Sequence, residues 1–129
     1  MKFAKRLFTV AGVYGLLVLV PQYFLEGKVG RDYPPPVTHP EFYYGFVGVG
    51  VAWQILFLII ASDPRRYRAA MLAGVVEKAT FGVAVVVLFL RGQVAPTLLA
   101  FGSLDLLLGA LFLLAYVKTG RGRDGSSDH

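Results

Sequence analysis

Residues 69–90 read AAMLAGVVEKATFGVAVVVLFL, residues 91–93 read RGQ, and residues 94–117 read VAPTLLAFGSLDLLLGALFLLAYV. Each long run meets the requirement of about 20 mainly apolar residues for an α-helix that crosses a bilayer. A strand reading fails, because neither run alternates with period two and a membrane barrel needs at least about eight strands. The short polar link forces the two helices to be antiparallel neighbours. Pro96 fits the first turn of the second helix, where a missing N–H breaks no hydrogen bond.

Working outward, two further apolar runs occupy about residues 7–25 and 42–61, bounded by Pro, Gly or charge. The first follows Lys2, Lys5 and Arg6 and superficially resembles a signal peptide. It is longer than an h-region of roughly 7–15 residues and lacks a small-residue cleavage site at Pro21-Gln22-Tyr23-Phe24, so an uncleaved span is the better reading. Composition agrees: 56% of residues are apolar, only 16% are charged, and mean hydropathy is +0.60. The expected fold is an all-α, four-helix transmembrane bundle filling residues 1–118, with no room for a soluble catalytic domain. The absence of cysteine excludes disulfides, thiolate metal sites and a Cys nucleophile.

The net charge of +5 reads as a topology signal. Lys2, Lys5, Arg6, Arg65, Arg66, Arg68, Lys118, Arg121 and Arg123 fall on one side of such a bundle, against Lys28, Arg31 and Arg91 on the other. Positively charged loops stay cytoplasmic, so an N-in/C-in arrangement in a bacterial inner membrane is expected. The basic surplus then meets anionic lipid headgroups rather than nucleic acid.

Local chemistry sets expected boundaries. Asp63-Pro64 reads as an N-cap followed by Pro at the first position of helix three. Pro21 is placed to kink helix one, and Thr119-Gly120 reads as the stop of helix four, followed by a polar disordered tail over 119–129. The one long connection, residues 26–41, lies outside. Its Pro34-Pro35-Pro36 favours an extended polyproline segment, and the flanking aromatics form an interfacial belt. The plain reading of this loop is a rigid cap. The functional alternative is that Asp32, His39 and Glu41 face a ligand at the bundle mouth. A zinc site needs at least three protein ligands and His39 has no second histidine nearby, so no metal is assigned.

The polar residues inside the spans carry more information: Gln54 in helix two, Glu77 and Lys78 in helix three, and Asp105 in helix four. Charges at membrane depth are costly and face a protein interior, a partner or a cavity. Counted from the basic end at about 1.5 Å per residue, all four lie at one level. Asp105 shares a stripe with Gly102, Gly109 and Phe112, and Lys78 shares one with Ala70, Gly74 and Gly82, spacings that permit close helix approach. The cluster is either a register-fixing network, with Gln54 and Glu77 completing the hydrogen bonds of a Lys78–Asp105 pair, or a proton or ligand path.

No G-x-S-x-G elbow, phosphate-binding glycine loop or H-E-x-x-H occurs, and the placement of Met71 and His39 argues against haem, so no cofactor is expected. The four-span plan, short loops and length over residues 1–118 resemble small bacterial membrane proteins of the DoxX type. The resemblance implies an accessory membrane protein and carries no site residue. Three function classes follow: a non-enzymatic accessory subunit; a small oligomeric carrier, proton-coupled or for a lipophilic substrate, using Glu77, Lys78 and Asp105; and a membrane enzyme or redox component near His39 and Glu41. The partners implied are membrane lipids, a second copy or another membrane protein, and a small apolar ligand.

Overall fold

The computed structural model describes residues 2–25 and 39–125, with side chains through Gly120. Four α-helices follow one another: α1 (Lys2–Leu19), α2 (Pro40–Ser62), α3 (Arg68–Leu90) and α4 (Pro96–Gly125). Each is long and apolar enough to cross a membrane, and no strand occurs among the described residues. The protein is an all-α four-helix transmembrane bundle. Asp32, the Pro34–Pro36 run and His129 lie outside the described residues.

Helix ends depart from expectation at four places. The first helix begins at Lys2 rather than Leu7, and the extra turn seats Ala4, fully buried, in the core one turn before Phe8. Lys118 covers the extension by placing its ammonium 4.6 Å from the Phe3 ring centroid. At the other end Pro21 changes the winding, and Val20–Phe24 continues as a 3-10 helix, the tighter form common where an α-helix loses a backbone donor. Asp63 caps a turn and not a helix: its carboxylate accepts from the Arg66 N–H at 3.3 Å, its carbonyl accepts from the Tyr67 N–H at 3.1 Å, and α3 starts only at Arg68. Gly120 does not stop α4, which runs on to Gly125. A Cβ added at Gly120 would meet the Arg68 guanidinium.

The Arg91-Gly92-Gln93 link behaves as its composition demands. Gly92 has φ +72°, and the N–H groups of Gly92 and Gln93 donate to the carbonyls of Phe89 and Leu88 at 2.9 Å each. This crossed pair is a Schellman closure, which only a left-handed residue makes without strain. Pro96 then opens α4.

Packing divides the bundle into two hairpins. α1 lies along α2 and α3 along α4, while the hairpins meet chiefly through α1 against α4 and α2 touches α3 only sparsely. Lipid tails are as apolar as leucine, so close packing rather than water exclusion holds such helices together. Small residues supply it: Gly82 faces Leu106 and the Gly102 carbonyl, and Gly102 faces Val85. Toward the N-terminal end of α1 the axis is filled by Phe8, Phe57 and Phe112, all fully buried. Phe8 stacks on Phe112 at 4.2 Å and Phe57 meets Phe112 edge-on at 5.0 Å, contacts worth about 0.5–1.5 kcal/mol each beyond area burial.

Candidate functional site

The four-residue spacing along α3 puts Gly74, Lys78 and Gly82 on its buried face, and the matching stripe on α4 buries Gly102, Gly109 and Phe112. Backbones approach closely there, and Gly109 leaves room for the Lys78 stem, whose Cβ would lie 3.3 Å from an added methyl. Lys78 Nζ sits 3.7 Å from Asp105 Oδ1 and 3.6 Å from Glu77 Oε1. The lysine side chain is 6% exposed, against 20% for Glu77 and 18% for Asp105, so the cation lies inside and the two carboxylates flank it. Its ammonium also stands 5.3 Å from the Phe57 ring centroid, with the phenylalanine plug on that side. α1 packs against α4 beside this centre, and Tyr14 is its ionisable residue nearest in charge coupling to Asp105.

The structure thus joins three of the four in-span polar residues and leaves Gln54 apart. Its Nε2 donates to the Gly50 carbonyl at 3.0 Å in its own helix, and its Oε1 is buried without a hydrogen-bond partner, pressed against Gly15 of α1. The level of Gln54 matches the charges, but its direction is toward α1. It belongs to the first hairpin's packing, and the expected share of Gln54 in the Lys78 network is not found.

The triad opens sideways. Between α2 and α3, where the two helices scarcely touch, lies a groove of about 460 Å³ lined by Trp53, Ala73, Val76, Glu77 and Thr80. Ala73, Val76, Glu77 and Thr80 recur at helical spacing on one face of α3, and Trp53 forms the α2 wall. Thr80 donates its hydroxyl proton back to the Glu77 carbonyl at 3.1 Å, leaving the oxygen as an acceptor. Sequence reasoning missed Tyr14 and Trp53. No local pattern marks either; only the sparse α2–α3 seam makes Trp53 a wall.

At the opposite end, His39 Nδ1 lies 3.8 Å from Glu41 Oε1, with both side chains 66% exposed. Glu41 occupies the first turn of α2, where a negative charge favours the helix dipole. Among the described residues no group of three His, Cys, Asp or Glu side chains could hold a metal ion, and Asp32 is not among those residues. Chemically, the centre offers one buried cation between two carboxyl groups, one of which reaches a groove at bilayer depth.

Compared with protein-family models, curated proteins and solved structures, the chain matches none of the three.

Proposed function

We propose that this protein is a non-enzymatic accessory protein of a bacterial inner membrane that takes a lipophilic ligand laterally from the bilayer at the Trp53–Glu77 groove. The supporting observation is the direction of the opening: Phe8, Phe57 and Phe112 fill the bundle axis, whereas Glu77 reaches the surface between α2 and α3. The groove is mostly apolar and broadly open on one side, which suits entry from surrounding lipid. Ionisable groups within spans mark function by default. The basic bias of the loops supports a cytoplasmic N terminus, Asp63–Arg68 turn and C terminus.

A photo-crosslinking amino acid placed at Ala73 or Val76 tests the reading, with Val10 and Leu17 on the exposed face of α1 as references. The expected result is a discrete adduct from the groove positions that disappears when Glu77→Gln is added. Equal, diffuse lipid labelling at all four positions, unaffected by that change, overturns it. A protein-sized adduct would favour the second reading, a subunit docking a partner helix at the same seam.

A further inference from the structure

Resting on the groove as a ligand site, its charge and walls define the class of ligand. Glu77, Lys78 and Asp105 sum to one negative charge when both carboxylates are ionised, and a net charge at bilayer depth is costly. No described basic side chain of a second copy is placed to neutralise it. The other basic residues with described side chains, Lys2, Lys5, Arg6, Arg65, Arg66, Arg68, Arg91 and Lys118, all lie near or beyond the ends of the apolar spans, and Lys78 is already held by two carboxylates. Among the described groups nothing else supplies the missing positive charge, which leaves a proton or the ligand. The wall opposite Glu77 is Trp53, and tryptophan is the best aromatic face for a cation; Ala73 and Val76 supply apolar surface.

We propose that the groove binds a hydrophobic monocation, an amine or onium centre carrying apolar or aromatic groups, with its charge at Glu77 in exchange for one proton. In the empty state a proton on one carboxyl cancels the excess charge. In the loaded state the cation does so, and the proton leaves to water. The ionisable neighbours of Glu77 are Lys78 on α3 and Asp105 on α4, and Tyr14 on α1 couples to Asp105; from α2, Trp53 lines the groove and Phe57 faces the Lys78 ammonium.

The chain's single tryptophan is a built-in reporter. Protein in zwitterionic phosphatidylcholine nanodiscs is titrated with tetraphenylphosphonium, with its anionic counterpart tetraphenylborate, and with neutral triphenylmethanol. Only the phosphonium should change Trp53 emission saturably, and its apparent affinity should fall by about tenfold for each unit that the pH is lowered once the proton wins, as one-for-one competition requires. Glu77→Gln should weaken it at least tenfold. Ala73→Leu, at an exposed position that leaves every charge in place, should also abolish it by filling the groove. If the borate or the alcohol binds as tightly and Glu77→Gln is without effect, the groove stands and the cation assignment falls. Saturable phosphonium binding that is independent of pH overturns the exchange, and no saturable response to any of the three overturns the cation site whatever the crosslinking shows.

Discussion

Lys78 holds together two carboxylates that would otherwise repel each other, and this makes the triad asymmetric toward mutation. Lys78→Met leaves Glu77 and Asp105 without a cation, and breaking a buried pair in this way costs about 3–5 kcal/mol. Asp105→Leu leaves the neutral Glu77–Lys78 pair intact and should cost distinctly less. Thermal unfolding in one detergent should show a large drop for the first variant and a small one for the second. Equal drops would mean that Lys78 serves Asp105 alone. The residue scale was half legible in the sequence. Counting from the helix ends gave the common depth of Gln54, Glu77, Lys78 and Asp105, and stripe spacing correctly turned Lys78 and Asp105 toward each other. The direction of Gln54 depends on which neighbour α2 packs against, and no spacing within α2 encodes that; Gly15, the residue that receives its side chain, is far away in sequence.

At the scale of the helix, glycines of identical composition do opposite things. Gly82 lies where an added methyl would come 2.5 Å from Leu106 Cγ, while Gly45 has nothing within 4 Å. Gly82→Ala should therefore destabilise the α3–α4 hairpin by about 1–3 kcal/mol, the usual cost of overpacking. Gly45→Ala should be neutral or stabilise by up to about 1 kcal/mol through helix propensity. Unfolding midpoints of the two variants check both signs; a destabilised Gly45→Ala would show that this lipid-facing position meets a partner. Helix ends follow the same logic. Pro96 and the Gly92 closure were legible because their chemistry is local. Gly120 was not, since a glycine that admits the Arg68 side chain from another helix looks in the sequence like one that ends a helix. Arg68 is fixed there by its Nε–H donating to the Tyr116 carbonyl at 2.8 Å and by stacking 3.7 Å over the Tyr116 ring.

For the whole molecule the four spans were legible from hydropathy and length alone, because every backbone polar group in hydrocarbon must be satisfied within its own helix. The division into two hairpins was not, since it depends on contacts between helices that length does not specify. Orientation is testable because the chain has no cysteine. In intact cells a membrane-impermeant thiol reagent should modify an Arg91→Cys variant and spare Arg66→Cys, both at exposed positions; the reverse pattern would invert the proposed topology. The hairpin division also bears on how the chain is made. Glu77 and Lys78 enter the bilayer side by side in one helix, and Asp105 follows in the next, across a link of five residues, 91–95. A lone charge at the centre of an inserting helix costs about 2.5–3.5 kcal/mol. Here opposite charges arrive together, and the whole triad belongs to the later hairpin. The first hairpin, with the Gln54 amide donating within its own helix, can therefore leave the insertion machinery before the second is synthesised, with no ionic partner to wait for.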